Sequence, residues 1–483
     1  MMAMLTNPAS AVLVLPLASA LLLALIPSYR LGAWINLIAA GGTFLASLAL
    51  AVVRPAGAFG LMFVDDLNIA FVVITCLVGF TTAIFSKGYI GHELEAGHLK
   101  PAHLRYYHVM FQILLGAMNL ALLSAITGVM WAGVEIATLT TVLMVGLYRS
   151  HEALEAAWKY FILSSVGIAL ALFGTILVYT VAQPVVGEGL PAMTWPVLAA
   201  HAGQFDPVLS NIAFVFILLG YGTKAGLFPI HAWLPDAHAE GPTPVSALLS
   251  GLLLNIAIYA ILRFKMLFVG SHGLFAPGAM MMTLGLVSVL FAGLMLYRRR
   301  DIKRFFAYSS IEHMGIIAFA FGLGGPIANF AGLLHMAMHS LGKSGLFFAV
   351  GQIIRVRGSQ KFDVLGGLTS SHPKLGWTFV FAVVAIAGLP PFGLFTSEFL
   401  IVSAAVSAEP VLAVVLVAGL LISLGALFLC INRVAFGAPR DVPASRSGTL
   451  FPVLAHLAIL LVFGVFIPGP IVAWFQHVAR MLG

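Results

Sequence analysis

Residues 220–249 read GYGTKAGLFPIHAWLPDAHAEGPTPVSALL. An apolar run reaches Lys224 and is then interrupted by Gly226 and Pro229. Proline removes a backbone donor and clashes with the preceding turn, so this stretch predicts a broken helix. Residues 388–395, GLPPFGLF, repeat the pattern with Gly388, Pro390, Pro391 and Gly393. Both breaks fall in runs longer than one bilayer crossing needs. Non-helical backbone at membrane depth is tolerated only where protein or water satisfies the freed groups.

The rest of the 483-residue chain is 61% hydrophobic and 8% charged. Apolar runs of ~20 residues, enough to span a ~30 Å hydrocarbon core, recur from end to end. We read about fourteen spans, near residues 9–27, 31–53, 66–86, 108–126, 128–147, 156–182, 208–234, 243–268, 275–296, 303–323, 328–354, 376–407, 410–432 and 451–475. The fold class is therefore an all-α polytopic membrane protein. No stretch is long and polar enough for a soluble domain. The first run lacks a basic flank, which predicts a retained helix rather than a cleaved signal. Spans four to eight, and again nine to thirteen, form sets of five with the break in the fourth. An odd number inverts the second set, so the chain reads as two inverted five-helix repeats with broken helices 7 and 12, a transporter architecture. The segments are 1–107, with three spans and a loop; 108–268, the first repeat; 275–432, the second; and 433–483, the last span.

The net charge of +7 lies in short loops between spans, which argues for membrane topology rather than nucleic acid. With the N-terminus outside, eighteen of the 24 Lys and Arg residues fall on the inner side. They include Arg105, Arg440 and Arg446. Four, Arg54, Arg263, Lys265 and Arg480, fall outside, and Lys224 and Lys343 are intramembrane. This positive-inside bias places both termini on the outer face. Two cysteines, Cys76 and Cys430, stand alone in apolar runs, so no iron–sulfur cluster or zinc site is expected from this chain.

Five ionisable residues sit within spans: Glu135, Lys224, Glu312, Lys343 and Glu398. A charge at mid-membrane costs roughly 2.5–3.5 kcal/mol on insertion scales, so each implies a partner or a function. Glu135 and Lys224 belong to one repeat and form a candidate ion pair. Desolvation favours the neutral form of each group and pairing favours the charged forms, so opening or closing the pair moves a proton. His335, His339 and Lys343 are spaced i, i+4, i+8 on one helix face, and histidine relays protons near neutral pH. HxxxH is also a metal-ligand spacing, but no third ligand is evident and no metal is expected. Glu312 and His313 diverge by about 100° on their helix and are expected to face different partners. Glu398 follows the second break, where a wet cavity makes it an access group. His231 and His238 follow the first break and extend the path inward. Asp236 and Glu240 are read as loop or partner contacts, and Glu155 with Lys159 as a surface pair. The histidine-rich loop at residues 92–108 receives no chemistry.

GYGTKAGLFPIHAWLPDAHAEGPTPVSALL and RRDIKRFFAYSSIEHMG (residues 299–315) resemble the antiporter-like subunits of respiratory complex I and of multisubunit sodium/proton antiporters, over roughly residues 60–475. Within that superfamily YSSIEHMG, followed by GGPIANFAGLLHMAMHSLGKS at 324–344, looks most like the hydrogenase-4 component F family of formate hydrogenlyase-type complexes. The resemblance implies a 14-helix core and a proton channel in which Glu135, Lys224, Lys343, His339 and Glu398 occupy the family's ionisable positions. Two departures stand out. The eighth span reads SGLLLNIAIYAILR, with Asn255 and Tyr259 where relatives often carry lysine or histidine, and no lateral helix is expected after span fourteen.

The expected function is proton translocation by a membrane subunit of an energy-converting redox complex of hydrogenase type. The chain is not catalytic alone and carries no cofactor. Iron–sulfur clusters, and nickel–iron where the partner is a hydrogenase, belong to peripheral redox subunits. Other antiporter-like subunits, a membrane anchor, the lipid bilayer and protons complete the partners, with no nucleic acid, in a bacterial inner membrane. The alternatives are a component of a NADH:quinone oxidoreductase, a cation/proton antiporter, or a structural subunit that does not conduct.

Overall fold

The computed structural model describes residues 7–268, 275–437 and 447–483. Arg440 and Arg446 lie outside them, as does the side chain of Arg105. Helices α1 (Pro8–Leu25) and α2 (Tyr29–Val53) precede a hairpin, β1 (Gly57–Phe59) and β2 (Met62–Val64), whose register pairs Ala58 with Phe63. There follow α3 (Asp66–Glu95), α4 (Pro101–Leu123), α5 (Thr127–Val145), α6 (His151–Val186) and α7 (Pro207–Ala225). After the first break come α8 (Leu234–Glu240), α9 (Thr243–Leu248), a π turn (Leu249–Leu253) and α10 (Leu254–Lys265). The remainder comprises α11 (Pro277–Leu296), α12 (Ile302–Leu323), α13 (Gly325–Arg357), α14 (Pro373–Ile386), α15 (Gly393–Ala408), α16 (Pro410–Ile431), α17 (Phe451–Val465) and α18 (Gly469–Met481).

Among the described residues eleven helices are long and apolar enough to cross a bilayer, twelve when α17 and α18 count as one bent span. The expected fourteen is thus approximate, for physical reasons. The 33-residue α13 misses the apolar set because it carries His335, His339 and Lys343. Span twelve is divided into α14 and α15, each shorter than a crossing. The run expected at 451–475 is not one helix: it bends by 79° between Val465 and Gly469, where Phe466 is extended and Pro468 withholds a backbone donor.

The chain divides into two compact units, Met1–Ala225 with Leu253–Met281, and Gly226–Leu252 with Met282–Gly483. In the first, α6 and α7 pack through small residues. A Cβ at Gly174 would stand 2.9 Å from the Ile217 nitrogen, one at Gly167 would meet Thr223 at 2.6 Å, and Gly220 abuts the Ala171 backbone. Small residues let helix backbones approach closely in membranes, and here they press the Lys224 end of α7 onto α6.

Asp65 ties the hairpin end of this unit together. Its carboxylate caps α3, accepting from the Asn68 N–H at 2.9 Å, while Asn68 Oδ1 accepts from the Asp65 N–H at 3.0 Å. It also takes both Arg263 guanidinium nitrogens at 2.7 Å. Arg263 lies 4.4 Å from the Trp195 ring and 5.0 Å from Tyr259, whose hydroxyl donates to the Leu122 carbonyl at 2.7 Å. Arg263 was expected among the outer loop charges; at 2% exposure it is interior. Its bidentate partner and aromatic box replace the lost hydration.

In the second unit α13 is the axis, packed against α9, α12, α14, α15, α17 and α18. Both breaks belong here. At the first, Gly226 takes φ +74°, and the Phe228 N–H donates to Ser288 Oγ at 2.9 Å. The Ile230 N–H returns to the Leu227 carbonyl at 3.0 Å. At the second, Gly388 takes φ +62° and the Phe392 N–H donates to the Leu389 carbonyl at 3.2 Å. A positive φ suits glycine, and these local bonds satisfy backbone groups that the broken helices release. The span expected at 208–234 is accordingly helical only to Ala225.

Asp65→Asn keeps a competent helix cap while removing the charge opposite Arg263. It is expected to lower stability by about 3–5 kcal/mol, the penalty for an uncompensated buried charge. Asp66→Asn, which removes a partly exposed partner of Arg54, is expected to change stability by less than ~1 kcal/mol. Thermal unfolding in detergent, read by size-exclusion fluorescence, separates the two.

Candidate functional site

In the first unit Lys224 closes α7 and is fully buried, its Nζ without a hydrogen-bond partner among the described protein atoms. The ammonium stands 5.6 Å from the centroid of Tyr160 on α6, and the Tyr160 hydroxyl is 2.8 Å from Thr141 on α5. Glu135 on α5 is the carboxylate whose field Lys224 feels. It lies at the unit's half-buried surface beside the exposed Ile136 and Leu139, and one of its oxygens, Oε2, is buried and unbonded. The two expected partners are therefore brought into electrostatic range without a contact ion pair. Span eight adds little titratable chemistry: Asn255 is buried, and Tyr259 accepts from Arg263 Nε at 2.8 Å.

The second unit holds a longer constellation. Lys343, fully buried on α13, donates to the Phe306 carbonyl at 3.4 Å and feels the field of Glu312 on α12. His238 on α8 stacks on Phe347 at 4.9 Å, nearly parallel, and feels Lys303 and Lys343. Lys303 Nζ donates to the Gly241 carbonyl at 2.7 Å. Arg304 pairs with Asp236 at 3.1 Å and Glu240 at 3.3 Å, so these two carboxylates anchor α8 to α12 rather than standing free in a loop.

One turn from Lys343, three histidines converge. The His339 ring is 5.3 Å from His313, and His313 Nδ1 lies 3.0 Å from His335 Nε2. His335 Nδ1 lies 2.9 Å from Ser397 Oγ, which itself donates to the Leu394 carbonyl at 2.8 Å. That last bond sets the tautomers. A hydroxyl has one proton, so Ser397 accepts from His335 Nδ1–H. Neutral His335 then presents a lone pair at Nε2, and His313 donates Nδ1–H to it. His313 Nε2 is left as a buried lone pair without a geometrically formed hydrogen bond, and the Ile386 backbone lies within reach of the ring.

Glu312 and His313 do face different neighbours. Glu312 turns to a cavity of about 190 Å³ lined also by Glu398, Ser423 and the second-break residues Ile386–Leu389. Glu398 packs directly on Gly388, where any Cβ would collide with its carboxylate. This is a physical reason for glycine at the break besides its positive φ. One of its carboxylate oxygens also lies within 4.8 Å of a ring nitrogen of His313 and of one of His335. His231 is set apart. It is buried among Phe228, Phe291 and Tyr308 at 5.5, 4.9 and 6.2 Å, within hydrogen-bond distance of none of the other site residues.

Sequence reasoning missed Ser397, Tyr160, Ser288 and Ser423. Ser397 had a signal, its place beside Glu398 just after a break. The others are hydroxyls in helices, which sequence does not distinguish from hydroxyls bonded to their own helix. Glu155 and Lys159 pair at 2.6 Å on the surface as expected, and Cys76 and Cys430 are free and buried.

Residues 127–423, which contain both carboxylate–lysine sets, match the family described as NADH:quinone oxidoreductase/Mrp antiporter, TM. The chain is 57% identical to the hydrogenase-4 component F homolog of Methylacidiphilum infernorum over 475 residues, 98% of this chain and 99% of that one. Its fold is that of a subunit of an archaeal membrane-bound sulfane sulfur reductase (TM-score 0.89, 22% identity, covering 99% and 98% of the two chains). A subunit of Thermus thermophilus respiratory complex I shares it too (TM-score 0.82, 24% identity, covering 99% and 100%). The chain belongs to the NADH:quinone oxidoreductase/Mrp antiporter membrane family and is a hydrogenase-4 component F homologue, an antiporter-like subunit embedded in the membrane.

Proposed function

We propose that this chain conducts protons as a membrane subunit of an energy-converting redox complex of the hydrogenase or formate hydrogenlyase type. It works in a bacterial inner membrane with both termini on the outer face. The observation that carries the reading is the recurrence, once in each unit, of a fully buried lysine facing a carboxylate, Glu135 with Lys224 and Glu312 with Lys343. Buried ion pairs are poor stabilisers, so two of them held short of contact favour a transport role over a structural one. The hydrogenase assignment is supported by the 57% identical hydrogenase-4 component F homolog. Iron–sulfur clusters and a nickel–iron centre would then reside on peripheral redox subunits, with other antiporter-like subunits and a membrane anchor as neighbours. Glu135, half-buried at the surface of its unit, supports such a neighbour covering it.

In this reading His238 passes a proton inward toward Lys343. Lys343 and Glu312 exchange it as water shifts the balance between neutral and charged forms, and His339 and His313 take it onward. A proton accepted at His313 Nε2 is matched by release of Nδ1–H to His335 Nε2; His335 Nδ1–H then passes to Ser397 Oγ as that hydroxyl turns away from the Leu394 carbonyl and gives its own proton to water. Glu398, on the cavity, exchanges protons with water. Moving one proton against the membrane potential requires about 2.3 kcal/mol per 100 mV, so partner subunits must supply the drive.

In the assembled complex, reconstituted in liposomes, Glu135→Gln and Lys224→Met are each expected to reduce redox-driven proton translocation roughly tenfold or more, with subunit content unchanged. Unchanged pumping with intact assembly would contradict the relay, and loss of assembly with pumping per complex preserved would favour a structural role. Sodium flux driven by a proton gradient through the isolated chain would instead make it an antiporter.

Ser397→Ala leaves His335 Nδ1–H unpaired in the interior, a penalty of about 1–3 kcal/mol. Proton translocation is expected to fall roughly five- to a hundredfold, and Ser397→Thr, which keeps the hydroxyl, is expected to restore it. Equal rates in all three proteins would remove Ser397 from the path.

A further inference from the structure

The sequence offered His335 and His339 as an HxxxH pair with no third ligand. The fold selects a different set. His313 from α12, His335 from α13 and Glu398 from α15 bring one ligand atom each to within 4.8 Å of one another. We propose that these three residues form a site for a borderline divalent transition metal of the zinc class.

Geometry supports this first. Zinc binds imidazole nitrogen at about 2.0–2.1 Å in tetrahedral sites, which places two ligands roughly 3.3 Å apart. His313 Nδ1 and His335 Nε2 already stand 3.0 Å apart. Second, His335 carries the outer partner that metal-binding histidines need. Its Nδ1–H is held by Ser397 at 2.9 Å, which orients the ring and leaves Nε2 as the lone pair. Third, charge and access are suitable. Glu398 and Glu312 both line the ~190 Å³ cavity, so two carboxylates face an incoming dication. That volume holds several waters at about 30 Å³ each. Lys343 opposes the cation electrostatically, and the His339 ring lies 5.3 Å from His313.

Binding moves the proton of neutral His313 from Nδ1 to its free Nε2, so the imidazole coordinates without releasing a proton. The metal would occupy the facing nitrogens of His313 and His335 and stop transfer between them. That consequence rests on the proton reading above; the site itself does not.

The test titrates Co²⁺ into the assembled complex in nanodiscs and follows the visible absorption of tetrahedral cobalt, with Zn²⁺ as competitor. The expected result is one tetrahedral cobalt per chain, displaced by zinc. Glu398→Gln and His335→Gln should each weaken binding tenfold or more, and His98→Ala in the surface histidine loop should leave it unchanged. The site is overturned by the absence of a tetrahedral signal in the unmodified complex, by a signal surviving both ligand substitutions, or by one that His98→Ala removes. The unmodified complex alone decides the first of these, so a substitution that prevents assembly does not protect the proposal. A complex that pumps protons but binds no cobalt overturns the site and leaves the relay standing. One that binds cobalt through these residues with proton transfer undiminished keeps the site and overturns the relay.

Discussion

A lysine ammonium taken out of water must be offset from within the protein, and this chain does so twice. Lys224 and Lys343 are both fully buried, and each finds its carboxylate inside its own unit. Neither pair is closed into a contact ion pair. A closed pair favours both charged forms strongly, whereas a pair held apart favours them less. Much of the surrounding structure serves this separation. Glycines at 167, 174 and 220 bring α6 and α7 together, so Lys224 is set against Tyr160 and not against Glu135 itself. The breaks interrupt the helices where titratable groups gather, and local turns and the Ser288 hydroxyl compensate the backbone there.

The second unit shows how one helix can be both membrane-spanning and polar. In α13 the histidines and Lys343 lie on neighbouring turns, and helices α9, α12, α14, α15, α17 and α18 surround them. The polar groups of that helix meet protein, not lipid, which is the condition under which ionisable residues persist in membranes. A serine that bonds its own helix then fixes the tautomer of His335, and through it that of His313. A single local hydrogen bond, Ser397 to Leu394, thereby sets the direction in which the relay rests.

Much of this was legible in the sequence. Long apolar runs gave the membrane class, and the Gly-Pro interruptions located both breaks because few other signals survive in an apolar chain. The ionisable residues were visible because their insertion penalty makes each one conspicuous. What sequence did not yield was arrangement across helices. The i, i+4 spacing joined His335 to His339, yet His335 hydrogen-bonds His313 and Ser397, each on another helix. Arg263 read as a loop charge because nothing local marks its partner, Asp65, 198 residues away. The bend before α18 was also lost, since the run from Phe451 onward stays apolar through Pro468 and conceals the turn.

The central claim is that buried carboxyl groups of this chain change protonation as the complex turns over. Infrared difference spectroscopy of the assembled complex during redox turnover addresses that directly. The account predicts a protonated-carboxyl band that rises and falls with turnover and loses a component when Glu312 is replaced by glutamine. A spectrum in which no buried carboxyl group changes protonation while protons are still being translocated would contradict it.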